Sequence, residues 1–248
     1  MRYNISVGMT FLRLKQLELI PHFVMTIQEA IVARHSVRQY QDKAIEGTVC
    51  EHLNEEIAAC NREGGLHIQL VTDEPQAFKG GLIKYGHFVN ANNYLAMIGP
   101  KGADEAIGYY GERLVLLAQT LGLNSCWVGL SVGKQLDRYT IGDGEKMHCV
   151  IAIGYGTTQG VQHSMRPMER YVKVQGEMPE WFRRGMEAAM LAPTAVHQQK
   201  FEFELLDGHT VAARTRFALS SFTKVDLGIV KYHFEVAAGR DNFTWKEA

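Results

Sequence analysis

Between Thr26 and Ala238 the apolar residues follow two rhythms, one returning every three to four positions and one alternating, and each predicts its own kind of element. Thr26-Ile27-Gln28-Glu29 reads as a capping box, with Thr26 at the N-cap and Glu29 at the third helical position. Ile27, Ala30 and Ile31 give this short helix its buried stripe, and it ends near Ala33. A second helix is predicted over Thr48 to Ala59, then Gly64-Gly65, then the alternating run Leu66 to Val71, a strand with one face on the core. Residues 75–107 read as loop-rich with an apolar patch at Tyr94 to Ile98. Leu114, Leu117, Ala118 and Leu121 fall at helical spacing within Glu112 to Leu121, and Gly122 closes that helix. Ser125 to Gly129 reads as extended, and Cys149 to Gly154 is the unbroken apolar run of a central strand covered on both faces.

From residue 179 a similar series begins again. Pro179 takes the first helical position, Phe182, Met186, Ala189 and Met190 form the buried stripe, and Pro193 stops the helix. The strand Phe201 to Leu206 parallels Leu66 to Val71, and Gly228-Ile229-Val230 leading into Lys231 to Ala238 parallels Gly108-Tyr109-Tyr110 leading into the earlier helix. This is the pattern of a degenerate internal duplication, with residues 25–160 and 161–248 as two halves packed on each other in an intramolecular pseudo-dimer. Residues 1–24 stand apart, read either as a docked N-terminal extension or as the product of an upstream start codon. Arg2, Arg13, Lys15 and Glu18 interrupt its apolar positions, so neither a signal-peptide core nor a membrane span is expected.

Composition narrows the partners. With 248 residues, 46% of them hydrophobic, the chain can bury a sizeable core. Lys plus Arg number 26 against 27 Asp plus Glu, so no global field draws in nucleic acid or an anionic membrane, and a small molecule is the expected partner. Cys50, Cys60, Cys126 and Cys149 form no C-x-x-C pair, which fits reduced, packed thiols and a cytoplasmic setting. The histidines lack H-E-x-x-H or zinc-finger spacing, so no metal site is expected.

Three segments carry candidate chemistry. In Arg34-His35-Ser36-Val37-Arg38 an extended backbone puts residues 34, 36 and 38 on one side, where two guanidinium forks and a hydroxyl suit a phosphate. The plainer reading is a solvated basic turn that complements the dipole of the preceding helix. In Ala192 to Gln199 a helix stops at Pro193, small residues permit close approach to a flat ring, and Thr194, His197 and Gln199 offer hydrogen bonds to its polar edge. Gly122 to Leu130 offers a tight apolar wall, and read alone is equally a helix cap followed by a core strand.

Taken together these segments resemble the nitroreductase family, whose chains carry R-x-S-V-R, A-P-S/T-x-x-N/H-x-Q and G-L-x-S-x-W-x-G segments. The order departs from the usual one: the place expected for the A-P-S segment holds the degraded Ala58-Ala59-Cys60-Asn61-Arg62-Glu63-Gly64, and the good copy stands at Ala192 to Gln199. The chain is thus similar to internally duplicated nitroreductases. The resemblance implies an α+β fold, a mainly antiparallel sheet flanked by helices, with FMN as cofactor. It implies that Arg34, His35, Ser36 and Arg38 hold the phosphate end and pyrimidine edge of one FMN per chain. Pro193, Thr194, Ala195, His197 and Gln199 would contribute across the pseudo-dimer interface, with Gly129 and Leu130 near the reactive ring. It further implies an NAD(P)H oxidoreductase that reduces a small acceptor such as a nitroaromatic or quinone, acting as a monomer or homodimer. The flavin carries the chemistry, so no catalytic side chain is nominated.

Two rivals belong to other classes. One is a flavin-binding sensor or carrier without turnover. The other is a serine hydrolase, since Gly129-Leu130-Ser131-Val132-Gly133 fits a nucleophile elbow and Asp226 and His233 follow in the expected order, although an H-G-G-G-type oxyanion loop is missing. Gly154-Tyr155-Gly156 misses the spacing of a dinucleotide fingerprint, so a nicotinamide is expected as a transient substrate.

Overall fold

A computed structural model of the chain describes residues 25–78, 87–129, 138–217 and 222–246. The capping box opens α1 (Ile27–Ala33) as its sequence requires. The Glu29 N–H donates to Thr26 Oγ1 at 3.2 Å and the Thr26 N–H donates to Glu29 Oε2 at 2.8 Å. There follow α2 (Gly47–Gly64), β1 (Gln69–Val71), β2 (Tyr94–Pro100), α3 (Asp104–Thr120), β3 (Asn124–Val128) and β4 (Glu145–Gly154). These strands form one antiparallel sheet in the order β1-β2-β4-β3.

The apolar patch at Tyr94 to Ile98 is therefore a central strand and not part of a loop-rich stretch. Buried on both faces, it shows no alternation to betray it. Likewise α3 begins at Asp104, well ahead of Glu112. Its first turns bury Ile107, Gly108 and Gly111, two of which carry no hydropathy signal.

The later residues build β5 (Val172–Val174), α4 (Glu180–Leu191), β6 (Phe201–Asp207), β7 (Thr210–Thr215), α5 (Thr223–Ala238) and β8 (Thr244–Trp245). Pro179 is the N-cap of α4, one position before the first helical turn. The second sheet has the order β5-β6-β7-β8, and here only β6 and β7 run antiparallel. The fold is α+β, as expected, with two sheets in place of one, the second of them mixed. The largest apolar cluster draws on both parts of the chain, joining Leu95, Met97 and Leu114 to Phe182, Phe203 and Phe234. All four cysteines are free, and among the described residues no helix is long and apolar enough to cross a membrane.

The two parts meet where α3 crosses α5, and they meet reciprocally. A Cβ placed on Gly108 would lie 1.9 Å from the carbonyl oxygen of Val225, and one on Gly228 would lie 1.9 Å from that of Glu105. Each glycine thus receives the backbone of the other helix three residues before the opposite glycine, so the contact is locally two-fold. No side chain fits between the backbones, and overpacking of this kind costs about 1–3 kcal/mol or more. Gly108→Ala and Gly228→Ala are each expected to lose at least about 3 kcal/mol in urea unfolding, at the top of that range because the obstructing atoms are backbone. A loss below about 1 kcal/mol in both would show that the crossing is not closely fixed.

Candidate functional site

Arg34 ends α1 with φ −72° and ψ 117°, and the chain leaves the helix extended. It then runs beside β3: Ser36 bridges Ser125 in parallel, and the Val37 N–H donates to the Ser125 carbonyl at 3.0 Å. Val37 and Tyr40 turn into an apolar cluster, and the Tyr40 hydroxyl donates to the Val37 carbonyl at 2.6 Å. With those side chains committed to the core, Arg34, His35, Ser36 and Arg38 line a cavity of about 720 Å³. His35 thus joins the wall that alternation assigned to residues 34, 36 and 38. Gly129 lies in the same wall just past β3, and Leu130 falls outside the described residues.

The opposite wall comes from the segment after α4, through Pro193, Thr194, Ala195, Val196 and His197. Val196, His197 and Gln199 have φ of 46°, 53° and 45°, a left-handed backbone without a glycine. Asp226 of α5 lies beneath and accepts twice, from the Ala195 N–H on Oδ1 at 2.9 Å and from the Gln198 side chain on Oδ2 at 2.6 Å. Gln199 departs from expectation. Its N–H bonds Thr194 Oγ1 at 3.0 Å and its side chain turns inward, accepting from the Tyr171 hydroxyl at 2.9 Å and donating to the Met190 carbonyl at 3.2 Å. It is buried behind the loop and contributes nothing to the cavity wall.

A third side was not foreseen. The connector after β4 brings Gly160 and His163 into the wall. Gly160 has φ +73°, and a Cβ there would sit 2.7 Å from the His35 Cβ, so both backbone conformation and closeness demand glycine. His163 and His197 rest together with ring centroids 4.4 Å apart, their Nε2 atoms 2.9 Å from the carbonyls of Met190 and Ser164 respectively. Burial pushes the His163 imidazole below its ordinary pKa, and burial followed by the Arg34 charge does the same to His35. A connector without periodicity gave no sign of this role.

The floor is a buried charge cluster. Arg34 is 4% exposed, and its Nε lies 3.6 Å from Glu112 Oε1, an ion pair that leaves Nε without a hydrogen-bond partner. Glu112 is fully buried on α3 and accepts from Trp127 Nε1 and from His233 Nε2, each at 2.8 Å, while His233 Nδ1 lies 3.0 Å from the Ala188 carbonyl. Burial alone would raise the Glu112 carboxyl, but His233, Arg34 and Trp127 together hold it below its ordinary value. Burial pushes the Arg34 guanidinium down and the Glu112 charge opposes it.

These same contacts dismantle the hydrolase arrangement. Both nitrogens of His233 are committed to Glu112 and Ala188, and Asp226 is committed to Ala195 and Gln198, so the two do not form an acid–histidine pair. Ser131 lies outside the described residues. Among the described residues no group of His, Cys, Asp and Glu could hold a metal ion.

The fold is of the nitroreductase-like class, and in this chain the cavity lies between the Arg34 to Arg38 segment and the wall from Pro193 to His197. Residues 26–238 match the family described as "Putative TM nitroreductase", and the chain belongs to that family of oxidoreductases. It is similar to a solved structure described as a putative nitroreductase from Thermotoga maritima, with 19% identity, a TM-score of 0.61, and 90% of this chain and 88% of that one covered. A structure described as a putative nitroreductase in complex with FMN, from Desulfovibrio desulfuricans, shares 20% identity with a TM-score of 0.44, covering 58% of this chain and 93% of that one. An FMN-dependent nitroreductase of Clostridium difficile shares 22% identity with a TM-score of 0.40, covering 52% and 87%. No curated protein matches the chain.

Asp226 gives the site a measurable pH signature. Burial pushes its carboxyl up from 3.8 to about 6, against the lowering effect of its two hydrogen bonds. A raised acid favours the folded state when protonated, so this group's contribution to stability falls as pH rises from about 4 to about 6 and is lowest above that. At 1.36 kcal/mol per unit, Asp226→Asn is expected to be more stable than the native chain by up to about 3 kcal/mol at pH 8, with the advantage gone at pH 4. Equal differences at both pH values in urea unfolding would refute the assignment.

Proposed function

We propose that this chain binds FMN in the cavity and acts as an NAD(P)H-dependent oxidoreductase toward a small acceptor such as a nitroaromatic or quinone. The observation that carries this reading is the buried Arg34 guanidinium in the cavity wall, its Nε lacking a hydrogen-bond acceptor, within a cation-rich segment that also offers His35, Ser36 and Arg38. About 720 Å³ lies in the range of cofactor sites, and a ligand with an anionic edge and a phosphate tail suits the donors present.

Bound FMN would take a hydride from a reduced nicotinamide and pass the electrons to a second substrate. The chain's own residues bind and tune. Arg38, exposed at the edge of the wall, and Ser36 would hold the phosphate, while Arg34 presents fixed positive charge to the pyrimidine edge and favours an anionic reduced state. Gly129, Pro193 and Ala195 leave room for a flat ring, and Thr194 and His197 border it.

Residues 25–160 and 161–248 are proposed to be the two halves of a duplicated unit, with one flavin site per chain. The reciprocal contact of Gly108 with Val225 and of Gly228 with Glu105 supports this. An internal pseudo-dimer of this kind is compatible with a monomer or a homodimer, and a cytoplasmic setting suits the four free cysteines.

The test is the visible spectrum of the purified chain after FMN addition and desalting. Flavin absorbance at about one flavin per chain is expected, bleached by NAD(P)H and restored by a quinone or nitroaromatic. A chain that retains no flavin would overturn the reading, and bound flavin that resists reduction would reassign the protein to binding without turnover. Arg34→Ala and Arg38→Ala are each expected to weaken FMN by about 1.5–3 kcal/mol, the scale of a charge-assisted hydrogen bond. Unchanged affinity in both would remove the arginine segment from the site.

A further inference from the structure

We propose that Asp226 is a positioning residue: carried on α5, its carboxyl grips the Ala195 amide and the Gln198 side chain and so holds the second cavity wall in its left-handed shape. The segment needs such a hold. Val196 is β-branched with φ 46° and is 86% exposed, so no packing of its own side chain compensates that conformation. His197 and Gln199 share the left-handed backbone within the same turn.

Bonds inside the turn, such as His197 N–H to the Thr194 carbonyl at 2.9 Å, close it on itself but do not place it over the cavity. Placement comes from outside. His197 reaches the Ser164 carbonyl, which lies in the connector, and Gln199 reaches Met190 at the end of α4. Asp226 ties the turn to the α3–α5 crossing, because its neighbour Val225 supplies the carbonyl that packs on Gly108. Both carboxyl oxygens are spent on this one segment, on Ala195 and Gln198.

Among the described residues no cation is set against this carboxyl. The titratable neighbour on β4 is Cys149, whose thiol burial pushes far up and keeps neutral. On α3 and α5, Glu105 pairs with Lys231, and Glu112 with His233 and Arg34. An uncompensated buried carboxyl lowers stability, as set out for the pH signature above, which is the expected character of a group retained for placement.

The test is amide hydrogen exchange on the full chain without cofactor, followed by FMN titration. The second measurement rests on the FMN reading; the first does not. In Asp226→Ala the amides of Ala195, His197 and Gln198 are expected to exchange about 10–100-fold faster, the equivalent of one charge-assisted hydrogen bond, with α3 and α5 protection unchanged. Asp226→Asn is expected to stay within about threefold of the native rates, because turning the Gln198 amide restores both bonds. FMN affinity should fall in the alanine variant and recover in the asparagine variant.

Should Asp226→Ala fail to fold, Gln198→Ala removes one of the two bonds and is expected to speed exchange at the same amides by about threefold or more. Native rates in the alanine variant, or in Gln198→Ala where that variant takes its place, would overturn the proposal. So would an asparagine variant as fast as alanine. If the native chain takes up no FMN while exchange follows the expected order, the clamp stands and the cofactor reading falls.

Discussion

Backbone-to-backbone contact between α3 and α5 is the constraint from which the site is built. Because Gly108 and Gly228 admit the opposite carbonyls without an intervening side chain, the two helices are fixed in both separation and register. Glu112 lies one turn beyond Gly108 and supports Arg34; Asp226 lies just before Gly228 and supports the Pro193 to Gln199 segment. The two walls arise far apart in sequence, yet each is referred to the same crossing. Small errors in that crossing would therefore open or close the cavity.

The electrostatics follow from the same placement. Taking Arg34 and Glu112 out of water is costly, and a buried pair recovers that cost only when its remaining donors and acceptors find partners. Glu112 finds Trp127 and His233, whereas the buried Arg34 Nε finds no hydrogen-bond partner. The cluster is thus satisfied at Glu112 and left one bond short at Arg34. Arg34 is thereby the more constrained of the two cavity arginines, since Arg38 is exposed.

Much of this was legible in the sequence. The capping box at Thr26 and Glu29, the arginine segment and the small-residue segment after Pro193 all depend on local chemistry, and local chemistry is what a sequence displays. What escaped depended on burial or on distance. Continuous burial erased the alternation of β2, and Gly108 and Gly111 hid the first turns of α3. Gly160 and His163 belong to a connector with no rhythm, and their role appears only when β4 delivers them beside His35. Gln199 failed in the other direction: its left-handed backbone sends the amide inward. Asp226 did leave a signal, a carboxylate within the otherwise apolar run Val225 to Val230, of the kind that marks a buried acceptor with a fixed task.

The chain has three tryptophans, and the fold gives them unequal surroundings. Trp181 stacks on Phe243, and Trp245 bonds Glu235 at 3.1 Å, both within the aromatic cluster around Phe234. Trp127 alone lines the cavity, its ring against Gly111 and its indole N–H on the carboxylate that also balances Arg34. An indole in that position has its excited state polarised by the same charges a ligand would perturb. The protein therefore carries an intrinsic optical probe of its own cavity, against a background of two tryptophans that do not line it.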